Sequence, residues 1–101
     1  MQFDVYENPT PNKAVPYLLD VQNDLVEVKS TRVVAPLVPL KLFPKPATVL
    51  NPVFRIGEES YVMLTQDLAS VGRENLGRKI ATLGHERQKI ISALDFLFVG
   101  F

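Results

Sequence analysis

His85-Glu-Arg-Gln-Lys-Ile-Ile-Ser-Ala-Leu-Asp-Phe-Leu-Phe-Val-Gly100, followed by Phe101, closes the chain and grows more apolar towards its end. Termini are normally frayed and polar. An end reading Phe96-Leu-Phe-Val-Gly-Phe101 therefore needs cover from its own chain, from a second copy or from a partner. At about 100° per residue, Ile90, Ile91, Ala93, Leu94, Leu97 and Phe98 share one arc, the stripe of a core-facing helix. Gln88, Lys89, Ser92 and Asp95 lie opposite, and Phe96 and Val99 fall among them. These two read either as scattered surface apolars or as part of a contact surface.

Upstream of this helix the chain punctuates itself. All eight prolines precede Val53 and all five glycines follow Ile56. Proline is excluded from helix interiors and central strands, so the first half reads as short strands, edges and turns. Gln2–Tyr6, Tyr17–Gln22 and Arg32–Leu37 are strands by alternation or β-branched content. Pro36 and Pro39 predict that the last of these is kinked or lies at an edge. Glu7–Pro16 and Lys41–Asn51 read as loops, the second tied to the core by Val49 and Leu50. Val53–Ile56 and Ser60–Thr65 form a hairpin about Gly57-Glu58-Glu59. Asp67–Arg78 mixes a short strand with turns, and Lys79–Leu83 is a further strand before Gly84. Glu86, in the first helical turn, suits the helix dipole. The expected fold is mainly β with one C-terminal helix: a small barrel or curled antiparallel sheet with the helix laid on it. Sheet edges invite pairing with another chain, so a homodimer is expected.

At 101 residues, 47% apolar and 22% charged, the chain is a single domain, residues 1–101, able to build a core without staples. Without cysteine it has no disulfide or thiolate metal site. The chain has neither a basic-then-apolar leader nor an apolar run of spanning length, so the expectation is a cytoplasmic protein with no membrane partner. A net charge of zero argues against binding nucleic acid by phosphate neutralisation. The charge is unevenly spread: residues 1–27 hold five acids and one base, and 28–57 hold five bases and no acid. The basic segment reads as a solvated face balanced by the acidic one, or as a landing place for an acidic partner.

Catalytic motifs are absent: no phosphate loop, paired-histidine zinc motif or nucleophile elbow occurs. Asp20 and Asp24 flank a turn that their side chains can hold. The single histidine, His85, reads as a polar residue at a helix start. One enzymatic alternative survives. An RNA-cleaving protein on a small barrel needs a base, an acid and a cation, which His85, Asp67 and Arg73 could supply.

The chain resembles the CcdB toxins of toxin–antitoxin modules over nearly its full length. The likeness is carried by Met1-Gln2-Phe3 with Val5-Tyr6, Asp20-Val21-Gln22 with Asp24, Arg32 to Pro36-Leu37, Ile56-Gly57-Glu58-Glu59-Ser60, Met63 and Thr65, Asp67 with Ala69-Ser70-Val71, His85, and Ala93 with Phe98 and Gly100. The resemblance implies an SH3-like barrel of the CcdB and MazF type, assembled as a two-fold homodimer. It implies no enzymatic activity, no catalytic residues, no metal and no cofactor. It implies a toxin that binds the gyrase A subunit and traps gyrase on cleaved DNA, neutralised by a CcdA-like antitoxin with an acidic tail. Nucleic acid would be engaged only together with that antitoxin. Carried over by position, the gyrase-binding surface is Leu25, Val26, Asp95, Phe98, Val99, Gly100 and Phe101. Val99 stands where the best-known member carries a tryptophan that stacks on an arginine, a contact worth about 0.5–2 kcal/mol. Phe101 keeps an aromatic ring nearby. Arg32, Lys41 and Lys45 are the expected antitoxin contacts. The alternatives are an RNA-cleaving toxin of the MazF and Kid type, or a degenerate homologue that binds only antitoxin.

Overall fold

In a computed structural model that describes residues 1–26 and 30–100, the apolar runs become short antiparallel strands. They are β1 (Asp4–Glu7), β2 (Tyr17–Asp20), β3 (Thr31–Pro39), β4 (Val53–Ile56), β5 (Glu59–Met63), β6 (Ala69–Gly72) and β7 (Lys79–Thr82), followed by the helix α1 (Arg87–Val99). The sheet runs β4-β5-β3-β2-β1-β7 and curls into a half-barrel, with β6 added alongside β3. Fold class is as expected from the sequence.

The nine-residue β3 is the longest strand and the sheet's hub, not an edge. Residues 34–37 pair with β2 on one side. On the other side residues 31–34 pair with β6 and residues 37–39 with β5. The expectation of an edge strand fails because Pro36 sits at the seam between these two partners. Its carbonyl accepts a hydrogen bond from the Leu64 N–H at 2.9 Å, so its backbone faces that seam. A strand residue points both its backbone groups to the same neighbour, so the missing N–H falls where no ladder partner is required. Pro39 is the last strand residue and needs no further ladder.

The core lies between the concave sheet and the start of α1. Val5, Leu19, Ala35, Leu37 and Met63 from the strands meet Leu83 and Ile90, all at most 2% exposed. Gly57 takes φ +64° in the two-residue turn joining β4 to β5, the backbone region that glycine adopts freely. Phe3 also has a positive φ, +69°, which swings its side chain into the core and delays β1 to Asp4, beyond the expected start at Gln2.

The Lys41–Asn51 loop is anchored differently from the sequence reading. Val49 is 45% exposed, whereas Asn51 is buried. The Asn51 side chain accepts from the Ala47 N–H at 3.1 Å and donates to the Met63 carbonyl at 3.1 Å and to Gln66 Oε1 at 2.8 Å. A hydrogen-bonded amide, not an aliphatic pair, holds this loop because its backbone groups need partners when buried.

α1 begins at Arg87, after a 3-10 turn over Gly84–Glu86 that includes His85. Its burial decays along its length. Ile90 and Ala93 are fully buried, Ile91, Leu94 and Leu97 are half-buried, and Phe98 is 71% exposed. The wheel placed Phe98 in the core stripe; the helix docks by its first two turns, and its last turn runs beyond the groups that bury Ile90 and Ala93.

Candidate functional site

Exposed large apolar groups gather where α1 ends and where the chain leaves β2. Phe98 is 71% exposed, Val99 59% and Phe96 42%; across from them Leu25 is 89% exposed and Val26 49%. Gly100 closes the helix with φ +84°, its N–H donating to the Phe96 carbonyl at 3.0 Å, the left-handed cap that glycine favours. Val26 and Phe98 line one groove of about 500 Å³, floored by Val21, Val33, Leu68 and Leu94. Two sequence-distant residues read as one surface are thus brought together. Leu25, Asp95, Val99 and Gly100 are exposed outside the groove lining. Phe101 lies outside the described residues.

Thr31, Val33, Leu68 and Ser70 of the groove are not among the residues that the sequence reading assigns to a binding surface. They come from β3 and from the Leu68–Ser70 stretch entering β6, which pair side by side. The alternation of Thr31 and Val33 on one strand face was the available signal, but only the β3–β6 pairing says what that face meets.

The loop carrying Leu25 and Val26 is built on a buried ion pair. Asp20 is fully buried and Arg32 is 4% exposed. Arg32 donates from Nε to Asp20 Oδ2 at 2.8 Å and from Nη2 to Asp20 Oδ1 at 3.1 Å, a two-point clasp. The same Nη2 donates to the Gln22 carbonyl at 2.8 Å and to Asp24 Oδ1 at 3.1 Å. Asp24 also accepts from the Gln2 N–H at 3.2 Å. That backbone donor first, then the nearby amino-terminal charge and Arg32, hold the Asp24 carboxyl below its ordinary value. Burial works against the charge on Arg32, but the hydrogen bonds and charge of Asp20 and Asp24 outweigh it and raise its pKa. Asp20 does hold the turn, its Oδ1 accepting from the Gln22 N–H at 3.0 Å, whereas Asp24 reaches back to the Gln2 backbone instead. Their larger role is to grip Arg32.

This corrects one expectation. Arg32 was a candidate contact for an acidic antitoxin, but its guanidinium is buried and its charge is met by two carboxylates. Lys41 and Lys45 are exposed, in and just after a 3-10 turn over Leu40–Leu42. His85, Asp67 and Arg73, the trio for RNA cleavage, sit exposed in three different 3-10 turns. No hydrogen bond or ion pair among the described residues joins any two of them.

An exposed apolar helix end beside an apolar loop, on a curled sheet with β3 as hub, is the geometry against which relatives can be judged. The sequence model of the family described as CcdB protein matches residues 2–100. The chain belongs to the CcdB family. It is accordingly a toxin of the toxin–antitoxin class, and its curled sheet with one C-terminal helix is consistent with the CcdB fold. No helix of the described residues is long and apolar enough to cross a membrane. The CcdB match spans both halves of the groove, from the Leu25–Val26 loop to Phe98, so the apolar surface belongs to the family domain itself.

Proposed function

We propose that this CcdB-family toxin binds the A subunit of DNA gyrase with its helix end and its Leu25–Val26 loop, and traps the enzyme's complex with cleaved DNA. It catalyses no reaction itself. The observation that carries the reading is the convergence of exposed Phe98 and Val26 on one groove, flanked by exposed Leu25 and Val99. Large apolar groups left open to water on two adjoining elements suit a protein partner. The toxin works as a two-fold homodimer in the cytoplasm, so that the same patch is presented twice to a two-fold target.

The test is direct. Purified toxin incubated with gyrase and supercoiled DNA should accumulate cleaved DNA on denaturation of the enzyme, and removal of Gly100 and Phe101 should abolish this while the protein stays folded. Intact DNA at saturating toxin, with the gyrase of its own host, would overturn the reading. A cognate antitoxin neutralises the toxin through an acidic segment that lands near Lys41 and Lys45, both exposed. Charge reversal at both, Lys41→Glu with Lys45→Glu, should weaken antitoxin binding and flatten its salt dependence. Unchanged binding would place the antitoxin elsewhere.

A further inference from the structure

We infer that Arg32 is a positioning residue for the docking surface: with Asp24 as its outer anchor, it holds the Leu25–Val26 loop in its presented shape before a partner arrives. The inference rests on the proposed reading of that loop as a docking surface.

Two sets of bonds shape the loop, and they do different things. The first is local. Asn23 Oδ1 accepts from the Leu25 N–H at 2.8 Å and the Asn23 carbonyl accepts from the Val26 N–H at 3.0 Å. These fold the loop tip. The second set ties the tip to the sheet. Arg32 stands on β3, and its Nη2 reaches the Gln22 carbonyl and Asp24 from there. The Gln22 side chain accepts from the Val33 N–H at 2.9 Å and donates to the Val26 carbonyl at 3.3 Å, bracing the loop from the same strand. Asp24 is fastened on its far side to the Gln2 backbone.

The chemistry of the tie requires arginine. One planar guanidinium meets two carboxylates and a carbonyl from two nitrogens of fixed spacing, whereas a lysine ammonium donates all three of its protons from one nitrogen. Arg32 is itself held by Asp20, which is fully buried, so the post to which the loop is tied cannot drift. Leu25 remains 89% exposed on this frame. An exposed leucine next to Asp24, which is tied to Arg32 and to the Gln2 backbone, meets its partner with less ordering left to do, and that ordering is a main cost of association.

The experiment uses the full chain and the gyrase A subunit, with hydrogen–deuterium exchange at the Leu25 and Val26 amides and binding by calorimetry. Asp24→Asn keeps the shape of a half-exposed side chain but removes its charge from two anchoring contacts. Exchange at Leu25 and Val26 should rise by about tenfold, the scale of a lost charge-assisted bond, with core amides such as Leu19 and Val62 unchanged. Affinity for gyrase A should fall as well, in proportion to the loss of the ordered fraction, because only that fraction binds. Arg32→Lys should act in the same direction, and Leu25→Ala should lose affinity with Val26 exchange untouched. Unchanged loop exchange in Asp24→Asn overturns the inference, as does an equal rise at the core amides, which would make the cluster a general stability element. If the parent protein fails to bind gyrase A, the docking reading falls, while the exchange comparison still decides whether Arg32 and Asp24 hold the loop.

Discussion

Val99 is the position of the proposed gyrase surface at which the resemblance to CcdB toxins leads one to expect a tryptophan. It is 59% exposed on the last helical turn, and valine offers no π face to a cation. Val99→Trp should therefore tighten gyrase A binding by about 0.5–2 kcal/mol per site, with thermal stability unchanged, as read by calorimetry. An unaltered affinity would mean that the arginine contact is not used here. Arg32 makes the opposite kind of contribution. Replacing it with methionine leaves Asp20 charged and buried without its main partner, a loss of about 3–5 kcal/mol that urea unfolding would record. Asp24, half exposed, is the member of the cluster that can be changed without leaving a buried charge unmatched.

At the scale of the element, α1 divides its work along its length. Ile90 is fully buried against the sheet while Phe98, two turns on, is 71% exposed. Ile90→Ala should lower stability by about 2–5 kcal/mol through a core cavity. Phe98→Ala should change stability by no more than about 0.5 kcal/mol, the scale of surface substitutions. Gyrase trapping should follow the reverse order when each variant is assayed folded. Equal destabilisation by the two would contradict the docking of the helix by its first two turns. β3 shows the same economy of placement: two prolines are tolerated in a hub strand because one faces a seam between partners and the other ends the strand.

For the whole molecule, β2 and β5 flank β3, and the curled sheet brings Tyr17 of the one and Tyr61 of the other into edge-to-face contact, with ring centres 5.1 Å apart. Burial first, and then the neighbouring Tyr17, raise the Tyr61 pKa from 10.0 to about 12. A phenol with a raised folded-state pKa favours the protonated folded form. Its contribution is complete below pH 10.0 and is lost as the pH climbs through about 12. Stability measured by denaturant should fall across that window, and Tyr61→Phe should flatten the fall. A profile unchanged by the substitution would place the alkaline transition elsewhere.

Strand positions, the hairpin at Gly57 and the terminal helix were legible because period and turn chemistry are local properties of the chain. The family was legible too, since the residues carrying it recur in order along nearly the whole sequence. Three things were not. A proline's place in a ladder depends on which strand lies beside it, so Pro36 read as an edge marker and proved to sit at the centre. The depth of a helical stripe depends on what lies under each turn, so Phe98 read as core by angle and stands in solvent. The fate of a charge depends on its neighbours in space, so Arg32 reads as part of a basic segment either balanced by the acidic one or open to an acidic partner, and the structure encloses it between Asp20 and Asp24. The sequence by itself determined the elements and the apolar character of the chain's end. Only the tertiary structure decided that Phe98 shares a groove with Val26, because that juxtaposition arises from sheet curvature and helix docking, which no local pattern encodes.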